Sequence, residues 1–219
     1  LCNYKNKYEG RFNQGVVTIN LPQIAIIANK DLNTFWNLLD ERLNLCFEAL
    51  MCRHRALLGT VSDVSPIHWQ NGAISRLKSN EVIDNYLKSE YSTLSLEYIG
   101  LYETVKHMTG NSLSTESGFN FGMEILNKLN KTINSWNKDT GLGFVLAGST
   151  NKEVSKKFAM IDEENFDSIK DINDKGYYCY SFHIDSKEKM DIYKKLEIES
   201  KFQKYSLGGN SCSVDFSNI

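Results

Sequence analysis

The sequence has no long hydrophobic run and little proline. Its longest apolar segment, residues 24–28, is far shorter than the roughly 20 residues of a membrane-spanning helix, so we expect no membrane partner. Only two prolines, Pro22 and Pro66, occur in the chain, and no stretch rich in proline, glycine or serine divides it. The sequence therefore predicts one domain over residues 1–219, built around a single core.

An excess of positive charge is also missing. The formal net charge is −2, which removes the broad cationic field by which nucleic-acid-binding proteins attract phosphates. We therefore expect no nucleic-acid partner. The first seven residues, LCNYKNK, show neither an initiator methionine nor the pattern of a secretory signal, and this predicts a piece of a longer, cytoplasmic protein.

Paired cysteines are absent. The five cysteines include no C-x-x-C pair and no spacing typical of a disulfide framework or a zinc site, and the four histidines lack ligand spacing. The sequence thus predicts no metal site and favours a reducing cytoplasm. Cys2 differs from the other cysteines because its polar, lysine-containing surroundings disfavour burial as a small hydrophobe. It is a candidate reactive thiol, and an incidental residue is the alternative interpretation.

The chain alternates between strand and helix patterns. Helical periodicity covers residues 31–58, 101–108, 119–136, 152–160 and 187–204, with shorter helical pieces at 72–77 and 81–88. Five segments have strand patterns: residues 15–21, 93–99, 143–147, 177–184 and 211–216. Strands separated by helices predict an α/β fold with right-handed crossovers and a mostly parallel sheet. Ligands of such sheets bind at the carboxyl ends of the strands.

The strongest local signal is the turn Gly148-Ser149-Thr150-Asn151, where an apolar strand ends and a helix begins. Small residues let the backbone approach an anion, and the N-terminus of a helix binds it through unpaired N–H groups. The sequence predicts a phosphate site here. The alternative is an ordinary helix cap made by Ser149 or Thr150, with Glu153 completing a capping box.

Other polar residues give weaker signals. His68 lies with Trp69 and Gln70 in a short segment that could line a polar substrate pocket, and a hydrogen-bonded structural histidine is the alternative. Glu97 and Glu103 flank the end of the second predicted strand. Neither has a carboxylate partner nearby in the sequence that would argue for acid–base chemistry.

Six segments of the chain resemble one known family. They read GRFNQGVVTINLPQIA, FWNLLDERLNLCFEAL, SPIHWQNGAISRL, LEYIGLYETVKHMTG, DKGYYCYSFHI and EIESKFQKYSLGG. In this order they resemble the anaerobic, class III ribonucleoside-triphosphate reductases of the glycyl radical enzymes. The resemblance implies a ten-stranded β/α barrel made of two five-stranded halves. The five predicted strands would form the second, C-terminal half of that catalytic barrel.

The resemblance also implies roles for individual residues. Cys2 falls where the family carries a thiyl radical that takes the 3′ hydrogen of the substrate ribose. Asn13 matches an asparagine that contacts that ribose, and residues 148–151 match the segment that faces the substrate phosphates. The familiar subgroup reads Gly-Cys-Arg-Ser around its cysteine, whereas here Tyr4 replaces the serine associated with formate-dependent reduction. This departure argues against formate as the reductant.

The whole enzyme implied by the resemblance reduces ribonucleoside triphosphates to 2′-deoxyribonucleoside triphosphates. Its glycyl radical, its zinc site and the regulatory domain that binds ATP and deoxynucleotide effectors would lie outside this chain, which alone should be inactive. A homodimer and a radical S-adenosylmethionine iron–sulfur activating enzyme are the implied partners. Another glycyl radical enzyme, or a non-catalytic α/β domain that binds nucleotide or phosphate, remains as an alternative.

Overall fold

The sheet is the centre of the fold. A computed structural model describes residues 11–211, in which β1 (Phe12–Asn20), β2 (Ser92–Ile99) and β3 (Phe144–Gly148) form one sheet in the order β1-β2-β3. Both strand pairs are parallel. The fold is therefore α/β with crossover connections, as predicted, but the described residues contain three strands instead of five.

Helices follow each strand. They are α1 (Leu21–Ala28), α2 (Leu32–Leu57), α3 (Pro66–Trp69), α4 (Leu101–Thr109), α5 (Glu116–Thr140), α6 (Lys152–Phe166) and α7 (Ile192–Gln203). Two short 3-10 helices span Ser62–Val64 and Asp84–Leu87. Throughout residues 11–211, each helix is too short or too polar to cross a bilayer.

Apolar residues of all three strands point to one face of the sheet. The long helices α2 and α5 pack on this face, and Phe47 and Trp136 hold the ring of Phe144 at centroid distances of 5.7 and 5.4 Å. The buried residues on this face are Ile19, Leu94, Leu96, Tyr98, Phe144 and Leu146. Since successive strand residues alternate between faces, the intervening positions form the opposite face.

That opposite face is polar on its first two strands. Asn13 and Thr18 from β1 share it with Ser95 and Glu97 from β2, because register partners lie on the same side of a sheet. Asn13 is exposed, and Thr18 and Glu97 are half-buried. The polar face, defined by these four residues, therefore differs in chemistry from the face under α2 and α5.

The first helix corrects the predicted bounds of β1. The strand prediction for 15–21 ended one residue late, because Leu21 begins α1 instead of ending the strand. Asn20 caps that helix by accepting a hydrogen bond from the Gln23 backbone N–H (3.3 Å), and Pro22 occupies the first turn. Proline is preorganised for that position.

The predicted helical pieces in the middle of the chain are largely wrong. Residues 72–77 form bends and irregular backbone, and only Asp84–Leu87 within 81–88 is helical, as a 3-10 turn. A buried cluster of Trp69, Ile83 and Leu87 stabilises this region. The apolar residues of this region are buried against one another, so no amphipathic helix is needed to bury them.

The predicted strand over residues 177–184 is also wrong. This segment crosses the carboxyl ends of the strands and makes one isolated antiparallel bridge, between Ile99 and Tyr180. Gly100 N donates to Cys179 O (2.9 Å), and Leu101 N donates to Ser181 O (3.1 Å). Ser181 has a left-handed φ of 43°, which regular extended structure does not contain. We call residues 175–185 the crossing segment.

The predicted strand 211–216 lies outside the described residues except for Ser211. Just before it, Gly208 N donates to Leu146 O (2.7 Å) and Gly148 N donates to Gly209 O (2.9 Å). The chain therefore runs beside the outer edge of β3 at this point.

Candidate functional site

The polar face begins with Asn13 at the amino end of β1. Asn13 Nδ2 donates to Ser95 Oγ (2.5 Å), and its Oδ1 accepts from Gly15 N (2.8 Å). A register shift between Asn13 and Gly15 marks a bulge. Bulges change the direction of a side chain at the edge of a sheet, and here the bulge fixes the Asn13 amide above β2.

The turn of residues 148–151 lies at the carboxyl end of β3. Asn151 caps α6, because its Oδ1 accepts from Glu153 N (3.0 Å) and Val154 N (3.2 Å). Because Asn151 is the N-cap, the third helical position is Val154, and Glu153 does not complete a capping box. The helix cap of the alternative interpretation is thus present, but Asn151 makes it instead of Ser149 or Thr150.

The same turn keeps unpaired donors. Within residues 11–211, the backbone N–H groups of Thr150 and Lys152 have no acceptor, whereas Ser149 N donates to Tyr98 O (3.2 Å). Thr150 is exposed and Ser149 is buried. Unpaired N–H groups at a helix N-terminus, where the helix dipole is positive, attract anions.

Ser181 lies against this turn, and the sequence analysis missed it. A Cβ atom added to Gly148 would lie 2.8 Å from Ser181 Cβ, so only glycine permits this approach. Ser181 is fully buried, and its Oγ has no hydrogen-bond partner in the described part of the chain. Burying a hydroxyl without a partner is unfavourable. Ser181 stood inside a predicted strand, so no local pattern pointed to it.

Asn13 and the turn lie at opposite ends of the sheet. Asn13 pairs with Thr93 and Gly148 pairs with Tyr98, and these partners are five positions apart on β2, about 17 Å along the strand. The structure therefore does not bring the two predicted groups into contact. A ligand that used both would have to extend along the strands.

His68 lies away from the turn. It is exposed in α3, where its Nδ1 is 2.6 Å from Ser65 Oγ. The next residue, Trp69, packs edge-on against Phe12 at the amino end of β1 (5.2 Å between centroids). The structure thus places His68 at the other end of the sheet from residues 148–151. Cys2 lies outside the described residues.

A buried carboxylate connects β1 to α6. Asp162 accepts hydrogen bonds from Asn20 Nδ2 (2.8 Å), Gln23 Nε2 (2.7 Å) and Tyr178 OH (2.8 Å). Ser155, about two turns before Asp162 on the same face of α6, accepts from Tyr178 N (3.1 Å) and donates to Tyr178 O (2.6 Å). These contacts fix α6, and therefore the turn before it, relative to the ends of β1 and the crossing segment.

A buried ion cluster lies where α4 meets the crossing segment. Lys175 Nζ donates to Glu103 Oε1 (2.6 Å) and to Asp185 Oδ2, and Cys179 N donates to Glu103 Oε1 (3.0 Å). Burial alone would lower the pKa of Lys175, but the charge of Glu103 and the hydrogen bonds to Asp185 and Glu103 together outweigh it and raise that pKa. Burial, helped by the Glu103 charge, raises the pKa of the Cys179 thiol.

This cluster resembles a metal site only in its ligand types. Oxygen and sulfur atoms of Glu103, Cys179 and Asp185 lie within 4.8 Å of one another. The Lys175 ammonium is bound to both carboxylates, so a cation already occupies the centre of the group. A thiol with a raised pKa is also a poor ligand, since metals bind thiolates. The group is therefore an ion cluster, in which Glu103 Oε2 is left without a hydrogen-bond partner in the described part of the chain.

Comparison with known proteins identifies relatives. The family model described as anaerobic ribonucleoside-triphosphate reductase matches residues 1–217. The anaerobic ribonucleoside-triphosphate reductase of Salmonella typhimurium is 35% identical over 215 residues, covering 97% of this chain and 30% of that protein. The enzyme of the same name from Enterobacteria phage T4 is 36% identical over 216 residues, covering 96% of this chain and 34% of that protein. The chain thus spans about a third of the length of these relatives.

Solved structures agree on the fold. An anaerobic ribonucleotide reductase from Thermotoga maritima, with citrate in its active site, superposes with a TM-score of 0.73 at 17% identity over 95% of this chain and 36% of that one. The same enzyme in complex with dATP and CTP superposes with a TM-score of 0.68 at 19% identity, over 93% of this chain and 34% of that one.

Proposed function

The chain belongs to the anaerobic ribonucleoside-triphosphate reductase family, and we propose that it forms the C-terminal half of the catalytic barrel of such an enzyme. The longer protein would reduce ribonucleoside triphosphates to 2′-deoxyribonucleoside triphosphates in the cytoplasm. The observation that carries this proposal is the turn of residues 148–151. It combines a glycine against which the Ser181 side chain packs closely, unpaired N–H groups and a helix N-terminus at the carboxyl end of a parallel strand.

The turn would hold the substrate phosphates. Its unpaired N–H groups on Thr150 and Lys152 are suited to phosphate oxygens, and the exposed Thr150 hydroxyl adds a further donor. The polar face extends from this turn toward Asn13. A nucleotide laid along the strands would direct its phosphates to the turn and its other end toward Asn13, which the family resemblance assigns to the ribose. His68, at the Asn13 end of the sheet, would line the far part of the same pocket.

The chemistry would belong to Cys2. Its thiyl radical would take hydrogen from the ribose, so that the S–H bond forms as the C3′–H bond breaks and the radical moves to C3′. The glycyl radical that generates it, a zinc site and the ATP and deoxynucleotide effector sites would lie elsewhere in the longer protein. A homodimer and an iron–sulfur activating enzyme would be its partners.

The edge of β3 supports the proposed half-barrel. Hydrogen bonds from Gly208 to Leu146 and from Gly148 to Gly209 align the chain with β3 immediately before residues 211–216. The crossing segment cannot supply another strand, since it closes the carboxyl ends of the existing ones.

A second candidate is a non-catalytic α/β domain that binds phosphate. The observation that favours it is the Asn151 cap, which satisfies two α6 donors without any ligand. The two candidates differ in what Cys2 does. A phosphate-binding domain would keep its nucleotide affinity when the Cys2 thiol is removed, and it would catalyse no reaction in either form.

The test uses the full-length parent protein activated under anaerobic conditions. Cys2→Ala should abolish turnover while the glycyl radical signal in electron paramagnetic resonance is retained. Cys52→Ala, at an exposed position on α2, is the matched control and should behave like the unmodified enzyme. Retained turnover in Cys2→Ala would disprove the assignment of the thiyl radical.

The phosphate turn is tested separately. Gly148→Val forces a side chain into Ser181 and should raise KM for the ribonucleoside triphosphate at least about tenfold through lost turn geometry. Gly141→Ala is the control, because its positive φ of 70° imposes strain but no atom lies within 4 Å of the added Cβ. Equal KM values in both variants would show that the turn is not part of the substrate site.

A further inference from the structure

We propose that His183 is a positioning residue that, as a doubly protonated imidazolium, holds residues 206–211 against the turn of residues 148–151. We call residues 206–211 the edge segment. The imidazole lies in the crossing segment, between the carboxylate of Glu199 on α7 and the backbone carbonyl of Ser211. That this attachment serves substrate binding rests on the proposed function, whereas the attachment itself does not.

Both ring nitrogens of His183 face hydrogen-bond acceptors. Nδ1 lies 3.1 Å from Glu199 Oε2, and Nε2 lies 2.7 Å from Ser211 O. A carbonyl oxygen and an ionised carboxylate can only accept, whereas a neutral imidazole has a single N–H group. Neutral His183 would therefore turn a lone pair toward one of these oxygens, and only the imidazolium donates to both.

Glu199 is held in its ionised form. Burial alone would raise the pKa of this carboxyl, but the hydrogen bonds from His183 and from Ile184 N (3.0 Å) outweigh burial and lower that pKa. The acceptor that faces Nδ1 is therefore a carboxylate, which cannot supply the missing hydrogen itself.

Charges on the neighbouring elements do not replace this pair. The edge segment reads SLGGNS and carries no charge. In the crossing segment, Lys175 and Asp185 are bound to each other. On α7, Lys195 Nζ also approaches Glu199, but at 3.8 Å it is too distant for a hydrogen bond. The proton on the imidazole therefore depends mainly on the two oxygens that face it.

The edge segment forms one wall of the turn. Gly148 N donates to Gly209 O (2.9 Å), and a Cβ atom added to Gly148 would lie 3.3 Å from Asn210 Cβ. Beyond Gly209, His183 makes the one hydrogen bond to this segment that is found within residues 11–211. The bond from His183 therefore keeps Asn210 packed against the turn.

The attachment should depend on pH. The attached form binds one proton more than a neutral imidazole beside a carboxylate, so a rise in pH favours release of the edge segment, by at most about tenfold per pH unit. Histidine ordinarily loses its proton near pH ~6.5. The attachment is thus complete in mild acid and weakens as the pH rises above that value.

The decisive variant is Glu199→Gln in the full-length parent protein. Its amide oxygen would still accept from Ile184 N, and its NH2 group would donate to a neutral Nδ1 of His183, while Nε2–H still donates to Ser211 O. Attachment would then need no extra proton. Glu197→Gln, at an exposed position of the same helix, is the matched control.

Hydrogen exchange measures the attachment. The readout is the protection of backbone amides in peptides covering residues 146–150 and the edge segment, corrected for the intrinsic effect of pH. From about pH 6.5 to about pH 8.5, protection should fall about tenfold in the unmodified protein and in Glu197→Gln, and should stay constant in Glu199→Gln. His183→Asn, whose side chain does not titrate, should show constant but lower protection. In the activated enzyme, KM for the ribonucleoside triphosphate should rise with pH by less in Glu199→Gln than in the control.

The outcomes separate this inference from the proposed function. Constant protection in the unmodified protein, or the same pH dependence in Glu199→Gln, would overturn the role of His183. A pH dependence of protection that depends on Glu199, with identical KM profiles in all variants, would show that the attachment does not position the turn and would also overturn the inference. Retained turnover in Cys2→Ala would disprove the thiyl assignment, and the exchange measurements would still decide whether the imidazolium holds the edge segment.

Discussion

The two faces of the same sheet are stabilised in different ways. The face under α2 and α5 buries aromatic and aliphatic side chains, with Phe144 held between Phe47 and Trp136. The polar face carries Asn13 and Glu97, whose side chains make only one or two contacts each. Because burial of apolar area supplies most of the free energy of folding, the helix-covered face determines stability and the polar face is available for a ligand.

The carboxyl end of the sheet is stabilised in a third way. There the crossing segment is fixed by buried polar groups: Lys175 between Glu103 and Asp185, and Tyr178 on Asp162. Hydrogen bonds are directional, whereas apolar packing is not. Polar contacts are therefore suited to positioning the turn of residues 148–151. The same contacts make stability strongly dependent on each partner, because removing one leaves the others buried and unpaired.

The largest expected effect is on the helix-covered face. Phe144→Ala removes a fully buried ring and should lower the free energy of unfolding by about 4 kcal/mol. Val145→Ala, the next residue and half-buried on the other face, should cost about 1 kcal/mol. Urea denaturation followed by tryptophan fluorescence measures both. Similar losses would contradict the division of the sheet into a stabilising face and a polar face.

The buried ion cluster gives the next effect. Lys175→Met leaves Glu103 and Asp185 without their cation and should destabilise the protein by about 3 kcal/mol, because uncompensated buried charge is unfavourable. Lys128→Met is the matched control. It breaks an exposed pair with Asp40 and should cost less than about 1 kcal/mol. The same denaturation assay measures both variants. Equal losses of unfolding free energy would show that burial does not make the Lys175 cluster more important for stability than an exposed ion pair.

Local sequence signals predicted the parts of the fold whose contacts are local. Residues 31–58 were predicted as a helix, and α2 spans Leu32–Leu57, because apolar spacing and the Asp31 cap both lie within the segment. The missed helix α1 also had a local signal: Asn20 as a cap, followed by Pro22. It was overlooked because Leu21 continues the apolar run of β1.

The parts of the fold and the site that were not predicted depend on contacts between residues distant in the sequence. The crossing segment has the apolar residues of a strand, but Glu103 binds Cys179 N across 76 positions of sequence, and no local pattern records that contact. The turn of residues 148–151 was predicted because a strand end, small residues and a helix start are adjacent in the chain. Ser181 and the pair of Thr18 and Glu97 were not, since their positions depend on the path of the crossing segment and on strand register.

The smallest expected effect depends on pH and distinguishes polar from apolar stabilisation. Burial alone would raise the pKa of Glu188, but hydrogen bonds from Ser112, Ser114 and Tyr102 outweigh it and lower that pKa. The folded state therefore binds this proton less readily than the unfolded state does. The resulting stability is present above the ordinary pKa of 4.5 and is lost as the pH falls through the lower folded value.

Glu188→Gln should reduce the loss of unfolding free energy on acidification, whereas Glu90→Gln, at an exposed position, should not. Urea denaturation at a series of pH values measures this, and an identical acid dependence in Glu188→Gln and the unmodified chain would show that the three hydroxyl contacts do not contribute to folding.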